Sequence, residues 1–250
     1  MIVQYCSDLH LEFPRNQKWL SSNPIEPLGD ILVIAGDTYY LNLNYSNLEF
    51  IHRVSEAFHQ VYLIPGNHEY YGGYDVSTAL EATMESIMDN VFMVNNQSID
   101  IEGTKFIFST MWSKVQRHIM EVMRGMADFH EIKFMEKKLT INQFNDLHDR
   151  AWDFLQKEIA TEGKKVVVTH HLPSDECNAE EFAGSSLNEA FCVDKTNFIL
   201  ENQIDYWIYG HSHRNLSDFN IGQTKLLTNQ LGYVEWGEHR SFKSGKIFKI

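Results

Sequence analysis

The residues best suited to chemistry fall in five short clusters: Asp8-Leu9-His10, Gly36-Asp37, Gly66-Asn67-His68-Glu69, His170-His171 and Gly210-His211-Ser212-His213. They offer carboxylates, imidazoles and one amide oxygen, and none contains cysteine. That donor set suits Mn, Fe or Zn in a working site better than a structural zinc cage. In Asp8-x-His10 and His211-x-His213 the two side chains fall on the same side of an extended segment, where they can chelate one ion. Asp37 carries two oxygens and can bridge two ions. Two metals ~3.5–4 Å apart clamp the attacking and leaving oxygens of an in-line displacement at phosphorus. Each cluster alone is common in ordinary proteins. Their recurrence in this order is what points to a metal centre.

Positioning these clusters falls to short apolar runs. Ile2 to Cys6, Ile31 to Ala35, Val61 to Ile64, Val166 to Thr169 and Tyr206 to Tyr209 read as buried strands, each ending in one cluster. Pro65-Gly66 stops the third abruptly. Adjacent parallel strands set their carboxyl ends in one row, so ligands distant in sequence converge. Between the second and third strands, Ser46 and Glu49 form a capping-box pair ahead of Leu48, Ile51, Val54 and Phe58 at helical spacing. Strand, helix and strand in that order predict a right-handed parallel crossover.

Ala79 to Met88, with Leu80, Met84, Ile87 and Met88 on one face, predicts a second helix. Val91 to Val94, Ser98 to Ile101 and Lys105 to Ser109 then follow too closely for crossovers, so antiparallel pairs and mixed sheets are expected. In 112–139, Ile119, Met120, Met123 and Met126 have helical spacing. They fit a helix laying a Met stripe on the core, with a cap-like insertion over the site as the alternative. Thr140 and Gln143 form another capping box, opening a long helix with Phe144, Leu147, Ala151, Phe154, Leu155 and Ile159 inward and Gly163 beyond its end. Phe198 to Leu200 reads as helical, and Leu226-Leu227 and Ile247 to Ile250 as closing antiparallel strands. The expected organisation is one α/β domain over 1–250.

Composition narrows the function classes. Apolar residues at 43% and charged residues at 22% are ordinary globular values, which argues against disorder. No apolar run approaches the ~20 residues that span a bilayer. No signal peptide is visible at the amino terminus, and three unclustered cysteines give no disulfide framework, so a cytoplasmic location without membrane partners is expected. Lys plus Arg is 21 against 34 for Asp plus Glu, a net charge of −13 that repels a phosphate backbone and disfavours nucleic acid as partner.

From Asp8 to His213 the five motifs resemble the calcineurin-like metallophosphoesterase family. The resemblance implies a four-layer αββα sandwich of two mixed β-sheets with a dinuclear centre at the carboxyl ends of the strands. It further implies two divalent or trivalent cations, Mn first, with Fe, Zn or Ni as alternatives. By position, Asp8, His10, Asp37 and His213 would hold one, and Asp37, Asn67, His170 and His211 the other. His68 would protonate the leaving group rather than bind metal, and a metal-bridging hydroxide would attack phosphorus. The strand end Val-Val-Thr-His selects His170 as ligand, whereas the family's His-x-Pro spacing selects His171 before Leu172-Pro173; we take His170, leaving His171 to line the pocket. Glu69 is expected to hold the loop.

Two departures matter. Protein serine/threonine phosphatases of this superfamily carry Gly-Asp-x-x-Asp-Arg-Gly and Arg-Gly-Asn-His-Glu, but here Tyr40 stands at the second Asp and Pro65 at the Arg. The carboxylate that orients the proton-donating histidine and the Arg that grips phosphate are both missing from those places. Protein phosphatase activity is therefore disfavoured. Thr110-Met-Trp-Ser113, Met126-Ala-Asp-Phe129 and Thr169-His-His-Leu-Pro-Ser174 resemble an uncharacterised bacterial subgroup, which implies a pocket role for Trp112 and Asp128 as well as His171. The expected activity is hydrolysis of a small phosphomonoester or phosphodiester; a DNA nuclease and a non-catalytic metal-binding scaffold are the alternatives.

Overall fold

The computed structural model describes residues 1–250. In chain order, β1 (Ile2–Cys6) leads to α1 (Pro14–Ser22), β2 (Ile31–Ala35), α2 (Glu49–Ala57), β3 (Gln60–Ile64), β4 (Thr83–Met88) and β5 (Val91–Asn95). Then come β6 (Gln97–Ile101), β7 (Thr104–Ser109), α3 (Ile119–Gly125), α4 (Asp128–Glu131), β8 (Lys133–Phe134), β9 (Lys137–Lys138) and α5 (Ile141–Ile159). The chain closes with β10 (Lys165–Thr169), α6 (Thr196–Glu201), β11 (Tyr206–Ile208), β12 (Phe219–Ile221), β13 (Thr224–Leu227) and β14 (Ile247–Lys249).

Two mixed six-stranded sheets result, in the orders β14-β1-β2-β3-β5-β4 and β12-β13-β11-β10-β7-β6. Each has four parallel strands in the middle and one antiparallel strand at either edge. Period-two alternation decides which side chains meet. Val3, Tyr5, Val33, Ala35, Tyr62 and Ile64 of the first sheet pack on Phe106, Phe108, Val166, Val168 and Ile208 of the second. Their neighbours Leu32, Ile34, Val61 and Leu63 face outward onto Leu20 of α1 and Ile51 and Val54 of α2. On the opposite side, Ile107, Val167 and Trp207 meet Leu155 and Ile159 of α5 and Ile199 of α6. Helix, sheet, sheet and helix stack as four layers. Strands buried on both faces explain why the sequence shows them as near-continuous apolar runs.

Three local expectations fail. Thr83–Met88 is an edge strand antiparallel to β5, not the end of a helix. The helical spacing of Leu80, Met84 and Ile87 is overruled by the free backbone edge of β5, and Met84 stays 49% exposed. Ser46 does not cap α2: its hydroxyl and its N–H both donate to Asn44 Oδ1, at 2.7 and 3.0 Å, and the helix starts at Glu49 with no side-chain cap. Finally, β13 runs parallel to β11 and is antiparallel only to β12, an edge strand the sequence did not announce.

Between β7 and α5, segment 112–139 builds a cluster of its own. Val122, Met126, Phe129 and Ile132 pack with Trp112, Tyr70, Tyr71 and Phe144. The helix at 119–125 is present, but its inward face is Val122 and Met126; Ile119 and Met120 are exposed. Thr140 and Gln143 do form the capping box of α5.

Candidate metal centre

All five clusters sit at the carboxyl ends of their strands, after β1, β2, β3, β10 and β11. The approach that brings them together is backbone-tight. Asp8, His10, Asp37, His211 and His213 all have left-handed φ, between 47° and 75°. The Asp-x-His and His-x-His pairs therefore do not chelate from extended segments as their spacing predicts. Each strand breaks into a left-handed turn that aims the side chain inward, a strained backbone of the kind concentrated at working sites. Gly36 and Gly66 make room: an added Cβ would lie 2.3 Å from His170 Nδ1 at the first, and 2.2 Å from Asp37 Oδ1 at the second. Glu69 holds the loop after β3, accepting from the N–H groups of Gly66 and Thr38 at 2.7 Å and of Asp37 at 3.0 Å.

The side chains collect in two groups that share one residue. Asp8, His10, Asp37 and His213 form one and Asp37, His170 and His211 the other, each with ligand atoms within 4.8 Å of one another. Asp37 Oδ1 is occupied by the His68 N–H at 2.9 Å. Its Oδ2 faces both groups, 3.7 Å from His10 Nε2 and 3.3 Å from His170 Nε2. Asn67 joins the second group, its Oδ1 3.1 Å from His170 Nε2.

Chemistry tests whether cations fit here. His10 Nδ1 is 3.0 Å from Glu12 and His213 Nδ1 is 2.8 Å from Glu238. A carboxylate only accepts, so each Nδ1 carries hydrogen and each Nε2 presents a lone pair. Those two Nε2 atoms lie 2.9 Å apart. His170 repeats the pattern: its Nδ1 donates to Ala35 O at 2.8 Å, and its Nε2 meets only the oxygens of Asn67 and Asp37. Lone pairs aimed at lone pairs in a buried site demand a proton or a cation. Although burial opposes charge, Asp37 pulls the His170 imidazole up to about 10, the protonic form of the same demand. His211 stays neutral, held well below its ordinary value by burial and by the neighbouring His170. The residues present fit metal ions.

Supporting side chains surround these, and of them the sequence singled out only Asp128. Glu12 touches His10 and His68, Glu238 touches His213, and Tyr71 with Asp128 fixes Asn67. Burial works against the Glu12 and Glu238 carboxylates, but the imidazoles beside them hold both below the usual range, Glu238 down to about 2. Glu12 continues the alternation Asp8-x-His10-x-Glu12, a signal legible in sequence; Glu238 has none.

The three residues expected to contact substrate sit elsewhere than expected. Trp112 is 1% exposed, packed between Phe144 and Tyr70. Asp128 is fully buried and accepts from Asn67 Nδ2 at 2.8 Å and from Tyr71 OH at 2.5 Å. It thereby turns the Asn67 carbonyl toward His170. His171 lies behind the centre, stacked on His211 at 4.2 Å with neither ring nitrogen hydrogen-bonded. Asp128 and His171 each touch a candidate ligand, Asn67 and His211, while Trp112 packs beside His171 at 5.5 Å, and all three are buried. The open side is that of His68 and His213, whose side chains are 11% and 12% exposed, beside Tyr233.

Comparison with known proteins settles the family. The sequence pattern of the calcineurin-like phosphoesterases matches residues 3–215. The chain belongs to that family. It is a phosphoric ester hydrolase of a metal-dependent kind. Over 263 aligned residues this phosphoesterase is 28% identical to an uncharacterised protein of Acanthamoeba polyphaga mimivirus, covering 93% of the chain and 91% of the viral protein. Among solved structures, the phosphopantetheinyl hydrolase of Mycobacterium tuberculosis superposes with a TM-score of 0.67 at 14% identity, covering 98% of this chain and 95% of that one. At that identity the likeness is one of fold.

Proposed function

We propose that this phosphoesterase hydrolyses a small phosphorylated ester at a centre of two metal ions. Asp8, His10, Asp37 and His213 would hold one ion, and Asp37, Asn67, His170 and His211 the other. The observation that carries the reading is Asp37 Oδ2, one carboxylate oxygen facing imidazole lone pairs from both groups. When bound, two such cations supply Lewis-acid polarisation of the phosphoryl group and a nucleophile of lowered pKa. The chain does the rest. The Nδ1 contacts to Glu12, Glu238 and Ala35 O fix the ring orientations, and Asp128 fixes the Asn67 amide. His68 stands at the open edge with Nε2 3.1 Å from Tyr233 OH, placed to give a proton to the departing oxygen. Its imidazole is raised to about 9, because the Asp37 and Glu12 carboxylates outweigh burial.

The acidic surface supports a small soluble substrate over a nucleic acid, and Mn is the first metal to supply. Protein loaded with Mn²⁺ is expected to hydrolyse p-nitrophenyl phosphate or its bis ester, and Asp37→Ala to abolish that activity. Equal inertness of both proteins across metals and both esters would overturn the reading.

A further inference from the structure

The carboxylate missing from the loop after β2, where Tyr40 stands, has a counterpart on another strand. Glu12 follows β1, and its Oε1 lies 2.8 Å from His68 Nδ1 and 3.0 Å from His10 Nδ1. Its side chain is 3% exposed, and Oε2 has no hydrogen-bond partner, so both contacts of this carboxylate go to imidazoles. The two rings meet edge to face with centroids 4.4 Å apart. His68 is further stacked on Tyr71 at 4.3 Å. Stacking confines the ring to a plane but leaves open which nitrogen points outward. The carboxylate at Nδ1 decides that, directing Nε2 toward Tyr233 and the open side.

We propose that Glu12 is the positioning residue for His68, and that by sharing one oxygen with His10 it ties the proton donor to the first group of ligands. The inference rests on the proposed function for its catalytic consequence and on geometry alone for its structural one. A turn carries Glu12 back over the cluster: His10 adopts φ of 47°, and the Phe13 N–H donates to His10 O at 3.1 Å. Aspartate at the usual place would approach His68 from β2. Here the contact comes from β1, which also delivers Asp8 and His10.

The test is Glu12→Gln, compared with wild type and His68→Ala. In metal-free protein, NMR of ¹⁵N-labelled histidines is expected to show a downfield, slowly exchanging Nδ1–H on His68 in wild type, absent in Glu12→Gln. An unchanged His68 signal overturns the proposal whether or not the protein turns over any ester. In the Mn²⁺-loaded enzyme, kcat for a phosphoester with an alkyl leaving group is expected to fall roughly 10- to 100-fold with KM nearly unchanged. For p-nitrophenyl esters, whose leaving group needs little protonation, the fall is expected to be smaller. In the His68→Ala background Glu12→Gln should add no further loss. Equal losses on both leaving groups, or an additive loss, would show that Glu12 does not act through His68. Because Glu12 also orients the ligand His10, kcat is compared at saturating Mn²⁺; a loss on Glu12→Gln that disappears once metal is saturated would place its action on His10 alone and overturn the assignment. Should wild type prove inert on every ester, the proposed function fails while the His68 resonance still decides the role of Glu12.

Discussion

Asn67 and His68 are neighbours in sequence with opposite duties, and the contacts around each say why. Asn67 could present either end of its amide. Asp128 accepts from its nitrogen, which leaves the oxygen facing His170. Asp128→Ala removes that choice. Metal affinity is expected to fall roughly 10- to 100-fold with the fold retained, read by metal titration of the apoprotein; unchanged affinity would return Asp128 to a mere packing role. His68→Ala should lower kcat by ~10²–10⁴-fold while metal content stays at the wild-type value. Loss of metal instead would place His68 among the ligands. Gly66→Ala tests the tightness of the approach. Its Cβ would intrude on Asp37 Oδ1 at 2.2 Å and His170 Nε2 at 2.7 Å, so metal binding should be lost even where the protein still folds. Binding at wild-type affinity would mean that the loop yields freely.

At the scale of elements, one carboxylate gathers three consecutive N–H groups of segment 112–139. Glu189 accepts from the N–H groups of Gln116 at 2.9 Å, Arg117 at 2.7 Å and His118 at 3.3 Å, with the Arg117 guanidinium alongside. Burial would raise this carboxyl, but the Arg117 and backbone donors bring it down to about 2. A depressed carboxyl stabilises the fold above its ordinary value near 4.5 and loses that contribution as pH falls toward 2. Glu189→Gln should therefore cost about 1 kcal/mol at pH 6–7, solvent screening included. The gap to wild type should narrow as the pH falls through about 4. A gap that widens on acidification, in urea melts at each pH, would contradict this anchoring.

The element scale also shows where sequence reading loses its grip. Ile2–Cys6 and Lys165–Thr169 are legible because burial on both faces leaves a solid apolar run. Residues 83–88 are not, since Leu80, Met84 and Ile87 suit a helix as well as an edge strand. Only the presence of β5 beside them chose. The inward face of the helix at 119–125 differs from the one its spacing predicts for a related reason. Four methionine and isoleucine positions share a spacing, but the wall they meet is built by Trp112, Tyr71 and Phe144 from other parts of the chain.

For the molecule as a whole, the two sheets matter because hydrogen bonds lock their carboxyl rims together. His170 Nδ1 in the second sheet reaches Ala35 O in the first at 2.8 Å, and the His211 N–H reaches Asp8 Oδ1 at 3.0 Å. Thr110 Oγ1 reaches Pro65 O at 2.7 Å. Ligands from both sheets therefore belong to one rigid rim, and metal binding should be coupled to global stability. Mn²⁺ at 100 times its Kd is expected to add about 2.7 kcal/mol and raise Tm by several degrees, an increment absent in Asp37→Ala. A Tm insensitive to Mn²⁺ and to chelator would separate the centre from the stability of the fold. No helix is long and apolar enough to cross a membrane.

By itself the sequence determined the five buried strands that carry the site, the family and which residue types end each of those strands, because apolar runs and polar breaks are local properties of the chain. It also showed that the usual orienting carboxylate was missing beside Tyr40. Tertiary structure alone decided that Asp37 Oδ2 faces both ligand groups, that Asp128 sets an amide rather than meeting substrate, and that Glu12 stands beside His68. These are contacts between side chains brought by different elements, several of them aimed by left-handed turns at the sheet rim. No spacing along the chain encodes which lone pair such a turn will aim at which proton.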